Sequence, residues 1–254
     1  MNNNKNIFFS IFLFMSCFNT KIEMNENYMT YHSGNLPIFL IVSHDGSRMI
    51  KNIPVRSDST NSLNIKNDLY TMEIANNIYS KFNTSKNKPY ILINDVHRKY
   101  VDMNRSSEHA YEADITQEIY NNFHTKIDNT VNQIIENYGK VYIYDIHGFS
   151  RDSLDLVLST RKHSTITEES LNHLIQSKDS FTNKISDEGF IVSINEPFYG
   201  GHIIKSIYDT FGNKHASAVQ VEIGRNIRFD DIERESFENI FYNYLNFVGN
   251  DENI

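Results

Sequence analysis

VYIYDIHGFS, Val141 to Ser150, decides how the rest of the chain is read. Val141 to Tyr144 form a continuous apolar, β-prone run, the pattern of a strand covered on both faces. The run then meets Asp145, His147 and Gly148. A buried strand that ends in Asp-x-His-Gly brings an imidazole to the rim of a sheet, where α/β proteins gather their chemistry. For one such histidine taken alone, a hydrogen bond to a neighbouring loop is the better reading. The pattern recurs, however: Ile38 to Ser43 (IFLIVS) is a second apolar run and passes straight into His44, Asp45 and Gly46.

Working outward, YILIN (Tyr90 to Asn94), LDLVL (Leu154 to Leu158), FIVSI (Phe190 to Ile194) and AVQVEI (Ala218 to Ile223) are further strand candidates, and Tyr100 to Met103 looks like a short one. Between them, Asp68 opens an amphipathic helix with Leu69, Met72, Ala75, Ile78 and Phe82 on one face. Tyr111 to Tyr138 repeats apolar residues every three or four positions and stops at Gly139, and Ile232 to Val248 closes the chain as a helix. His124 lies off the apolar stripe of its helix and is expected in solvent. Strands alternating with helices predict a three-layer α/β/α sandwich around a mixed, mostly parallel sheet.

The 254 residues suit one large domain, here residues 28–250. A formal charge of -8 with no Lys/Arg cluster argues against a nucleic-acid partner. Cys17 is the one cysteine, so metal or nucleophilic chemistry in the body of the chain must use other residues. Residues 1–20 carry Lys5 and an apolar run from Ile7 to Phe18, short for a membrane span and suited to a signal peptide or an anchoring leader. Secretion is therefore expected, with a cytoplasmic protein starting at Met24 as the alternative. No stable span is expected once the leader is removed.

Two strand-end histidines, a glutamate in an apolar strand (Glu222) and an aspartate at a helix start (Asp68) are enough for a catalytic zinc with one open position. Asp68 serves equally well as a helix cap, so both readings stand. Arg98 and Arg105 have the fork geometry that grips a carboxylate, and are otherwise ordinary surface arginines. Gly200 and Gly201 permit a close backbone approach or a tight turn.

SHDGSR, DLYTMEIA, HRKYVDMNR, YDIHGF, NEPFYGGHI and HASAVQVEIGRNIRFDD occur in the order of the N-formylglutamate amidohydrolase family, which the chain resembles from about Gly34 to Asp231. That family is similar in turn to zinc carboxypeptidases. The resemblance implies a zinc ion held by His44 and His147, with Asp68 as third ligand and Asp45 as fallback, because Ser47 stands where a carboxypeptidase has its ligating Glu. It implies Glu222 as the residue that activates zinc-bound water and Arg98 as the carbonyl-polarising arginine. Asn104 and Arg105 would bind a substrate carboxylate. Tyr208 would be a mobile catalytic tyrosine, with Tyr199 as its rival near the substrate. The activity implied is hydrolysis of an amide next to a free carboxylate, in N-formylglutamate, a related N-acyl amino acid or a peptide. A carboxypeptidase-type peptidase, an inactive carboxylate- or peptide-binding protein and a metal-free hydrolase are the alternatives.

Overall fold

Seven strands form one sheet in the computed structural model, which describes residues 28–57, 64–82, 87–151 and 153–250. In chain order they are β1 (Met29–His32), β2 (Ile38–Val42), β3 (Tyr90–Asn94), β4 (Val141–Gly148), β5 (Leu156–Ser159), β6 (Val192–Ile194) and β7 (Ala216–Ile223). Their order across the sheet is β1-β3-β2-β4-β7-β5-β6. β2 runs parallel to β3 and β4, β4 to β7, and β5 to β6, while β1 and β5 pair antiparallel to β3 and β7. The sheet is mixed and mostly parallel, as the sequence predicts. The leader and Cys17 lie outside the described residues.

Because side chains alternate across a strand, each central strand feeds two cores. Ile38, Leu40, Val42, Tyr144, Ile146, Val219 and Val221 face one layer, filled by α1 (Thr71–Lys81), α5 (Phe181–Asp187) and α8 (Asp231–Asn250). Phe39, Ile41, Val141, Ile143 and Ala218 face the other, filled by α3 (Asp114–Tyr138) and α6 (His202–Phe211). Shorter helices α2 (Ser107–Ala110), α4 (Glu168–Leu171, continued by a π-helical turn Asn172–Gln176) and α7 (Arg225–Phe229) complete the layers. α3 buries Ile119, Phe123, Ile127, Val131 and Ile134, the predicted stripe, and ends at Gly139 with φ of 74°, a left-handed position that glycine takes without a Cβ clash.

Two local expectations fail. Tyr100, Val101 and Met103 are buried but lie in turns: the amide of Tyr100 donates to the carbonyl of His97, and that of Asp102 to Ala110. Their apolar side chains fill the second core without needing a sheet ladder. α1 starts at Thr71 rather than Asp68, and Leu69 is exposed, because Ile74 joins Ala75, Ile78 and Phe82 on the buried face. α6 carries three isoleucines inward, Ile203, Ile204 and Ile207, a stripe that the sequence reading passes over. Among the described residues, no helix is long and apolar enough to cross a membrane.

Candidate metal centre and cleft

β2 sits at the point where the chain reverses its direction of strand addition, with β3 on one side and β4 on the other. Open α/β sheets bind ligands beyond the strand ends at such a point. There β2 gives way to His44, and β4 carries His147 as its last residue but one. β4 and β7 pair in register, Asp145 beside Gln220 and His147 beside Glu222. The alternation that buries Ile143 and Ala218 puts these four polar groups on the same face, past the end of the apolar core.

Asp68 enters through its backbone amide, which donates to the carbonyl of His44 at 3.0 Å. The cap reading is answered by its neighbour: Asp45 Oδ2 accepts from the Met72 amide at 2.9 Å and so serves the start of α1. The Asp68 carboxylate points instead at the histidines. Its Oδ2 lies 3.2 Å from His44 Nδ1 and 3.2 Å from His147 Nδ1. Ligand atoms of His44, Asp68 and His147 all lie within 4.8 Å of one another, a set that can hold a metal ion.

The far nitrogen of each ring faces a second carboxylate. His44 Nε2 is 2.6 Å from Asp102 Oδ1, and His147 Nε2 is 2.8 Å from Asp145 Oδ2. A neutral imidazole that donates from Nε2 exposes an acceptor lone pair at Nδ1. Two such lone pairs then meet the Asp68 oxygen, three acceptors with no donor among them. A cation between them resolves the clash, and ligands about 2 Å from a tetrahedral zinc are about 3.3 Å apart, close to the spacings found here. The donor set therefore fits a zinc ion, with both histidines backed by carboxylates, as ligating histidines commonly are. Titration reflects the same demand for positive charge. Burial opposes the charge on His147, yet Asp145 and Asp68 raise its pKa well above the usual value. Burial likewise pushes the Asp68 carboxyl up, but the two histidines and Arg98 hold it low.

Glu222 is buried, and its carboxyl is pushed up by desolvation against the pull of His147, with Asp68 adding to the rise. Its Oε1 accepts from Gln220 Nε2 at 2.6 Å. Arg98 donates from Nε to Asp102 Oδ2 at 3.1 Å and from Nη1 to Asp68 Oδ1 at 3.3 Å. Asn104 is engaged within the chain: Oδ1 accepts from the Ile203 amide, while Nδ2 lies 3.2 Å from Gln220 Oε1 and 3.1 Å from His147 Nε2. Gly201 is required beside it, since a Cβ there would stand 2.3 Å from Asn104 Nδ2. The Arg105 side chain is 38% exposed at the cleft.

A cleft of about 700 Å³ joins His44, Asp68, Arg98, Asn104, Arg105, His147 and Glu222. Tyr208 and Tyr199 do not line it. Tyr208 is 38% exposed near the C-terminal end of α6, whose isoleucines turn the opposite face inward. Tyr199 is 44% exposed and lies against the guanidinium of Arg161, and Phe198 takes the place at the cleft wall. His124, expected in solvent, is half-buried and lies 2.9 Å from the Met103 carbonyl through Nε2.

The sequence reading assigns no role to Asp102, Asp145, Gln220, Arg56 or Arg228, which complete the site. Arg56 is buried, donates to the carbonyl of Arg98 and pairs with Asp102 Oδ2 at 3.5 Å. Arg228 is buried and donates to the carbonyls of Ile223, Leu69 and Phe149. Asp145 and Arg228 fall inside the YDIHGF and HASAVQVEIGRNIRFDD motifs, which was the signal available for them.

Residues 107–227 match the sequence model of the family described as N-formylglutamate amidohydrolase. In three dimensions the chain is similar to N-formylglutamate amidohydrolase from Ralstonia eutropha JMP134, with a TM-score of 0.67 and 13% identity over 87% of this chain and 96% of that one. It is also similar to a gene product of Agrobacterium tumefaciens, with a TM-score of 0.62 and 13% identity over 87% of this chain and 93% of that one. No curated protein matches it by sequence. The chain thus resembles the N-formylglutamate amidohydrolase family, in sequence across residues 107–227 and in fold across most of its length.

Proposed function

We propose that the chain is a zinc-dependent amidohydrolase that cleaves an amide bond in an N-acyl amino acid or peptide bearing a free carboxylate. The carrying observation is the convergence of His44 Nδ1, His147 Nδ1 and Asp68 Oδ2, with Glu222 held in register beside His147. His44, Asp68 and His147 would hold the metal. Zinc supplies Lewis acidity and makes water a nucleophile near neutral pH.

The chain's own residues account for the rest. Glu222, whose carboxylate is made more basic by burial, takes a proton from the attacking water and returns it to the leaving nitrogen. One water is consumed, its hydroxyl joining the acyl carbon and its proton the amine. Arg98 is clamped through Nε and Nη1, which leaves its Nη2 to donate to the scissile carbonyl oxygen as charge develops there. Arg105 binds the substrate carboxylate, and Asn104 supports it by fixing the loop against Gln220 and the start of α6. Tyr208 or Tyr199 contributes only by swinging inward from its exposed position. Residues 28–250 act as one domain, and the apolar run Ile7 to Phe18 supports an extracytoplasmic setting.

The test combines metal analysis with turnover of N-formylglutamate. One zinc per chain, lost in both His44→Ala and Asp68→Ala, is the expected result. Glu222→Gln should keep the zinc and lose hydrolysis. A wild-type protein that binds no zinc after reconstitution would overturn the assignment.

A further inference from the structure

The cleft does not end at the metal site. It opens into an arm of about 530 Å³ that shares Lys66, Asn67, Ser150 and Arg228 with it. Lys66, Lys99, Arg225 and Arg228 line this arm, and no carboxylate does among the described residues. In a chain of net charge -8, four cations lining one arm with no carboxylate among them are unusual, and of the four Arg228 alone is balanced from the metal side, by Asp68, Asp45 and Glu222. The shallow pocket between α1 and α8 shows the ordinary case, since Lys81 and Arg234 there face Asp231, Glu235 and Glu238.

The cations are not used up internally. Among the described residues, no carboxylate forms an ion pair with Lys66, Lys99 or Arg225. Arg228 spends three N–H groups on carbonyls and has five to give, so it keeps two. The Phe229 ring lies 4.9 Å from the Arg225 guanidinium and 5.5 Å from that of Arg228, which steadies both. Two of the three carbonyls that hold Arg228 belong to Leu69 and Phe149, close after Asp68 and His147, and the third to Ile223, next to Glu222, whereas Asn104 and Arg105 approach by way of Asp102.

We infer that the basic arm is a subsite for an anionic group on the acyl side of the scissile amide. Preferred substrates then carry a carboxylate on each side of the bond, one read by Arg105 and one by Lys66, Lys99, Arg225 and Arg228. The inference rests on the amidohydrolase reading for which bond is cut; the anion site itself does not.

Two ligands that differ at one end separate the possibilities: N-glutarylglutamate, whose acyl chain ends in a carboxylate, and N-pentanoylglutamate, whose chain ends in a methyl group. Both are titrated calorimetrically into the full chain carrying Glu222→Gln at low salt, with and without Lys66→Ala, Lys99→Ala and Arg225→Ala together. The glutaryl compound should bind about tenfold more tightly, a preference that shrinks with added salt and falls below about threefold in the triple variant. Equal affinities, a preference untouched by the triple variant, or no binding of either compound would each overturn the subsite. Turnover of the same compounds by the wild-type protein reads the other assignment separately. Preferential binding without hydrolysis keeps the subsite and removes the hydrolase.

Discussion

Replacing Asp145 with Asn isolates what the negative charge behind His147 contributes. Asp145 is fully buried, its Oδ2 meets His147 Nε2 at 2.8 Å, and its Oδ1 has no hydrogen-bond partner. Asparagine keeps the size and can still accept from Nε2–H, but as a neutral acceptor roughly half as strong. Its amino group must then occupy the place of Oδ1, where no partner waits. An unsatisfied buried donor costs about 1–3 kcal/mol, so global stability should fall by that amount. Loss of an orienting carboxylate typically weakens metal binding about 10–100-fold, equivalent to about 1.4–2.7 kcal/mol. Competition for zinc against a chromophoric chelator measures the second quantity, and urea unfolding of the zinc-free protein the first. Asp102→Asn is the control: it acts on His44 in the same way but also strips Arg56 and Arg98 of their shared carboxylate, so its stability loss should be larger. Unchanged zinc affinity in a folded Asp145→Asn protein would refute the claim that Asp145 sets the Nδ1 lone pair of His147.

Other consequences are as direct. Arg105→Ala should raise KM for carboxylate substrates about tenfold or more with a smaller change in kcat; an unchanged KM would remove Arg105 from the cleft. Gly201→Ala should displace Asn104, which the new Cβ would meet at 2.3 Å, and lower kcat/KM without loss of zinc. Burial pushes the His124 imidazole down from 6.5 to about 4, with nearby His202 adding to the shift. The folded chain therefore binds fewer protons than the unfolded one between these values. The His124 contribution should be full above pH 6.5 and be lost, by up to about 3 kcal/mol, as pH falls toward 4, so His124→Phe should flatten that part of the pH dependence in urea titrations at each pH.

The histidines are legible in the sequence because a buried strand that stops at a polar residue has few uses for it. Glu222 is legible for a related reason, as a carboxylate in an apolar run needs a partner. What is not legible arises from pairing. Gln220 reads as an ordinary strand residue until the register sets it beside Asp145. Arg228 is followed closely by Asp230 and Asp231 in the sequence, yet its buried position depends on three carbonyls from separate segments. Tyr100 to Met103 looks like a strand because its apolar residues are buried, but burial alone does not supply a ladder partner. Tyr208 lies outside the cleft on the exposed face of its helix, an orientation that its position in a motif does not carry.

The β4–β7 register carries one more consequence. A pleated strand repeats every two residues, so a single residue inserted in β7 between Ala216 and Gln220 would send Gln220 and Glu222 through to the opposite side of the sheet. The segments joining β4 to β5 and β6 to α6 have no such phase to keep. The rim can thus be lengthened or shortened without disturbing the cluster, while the meeting of His147 with Glu222 is tied to an even count along two strands.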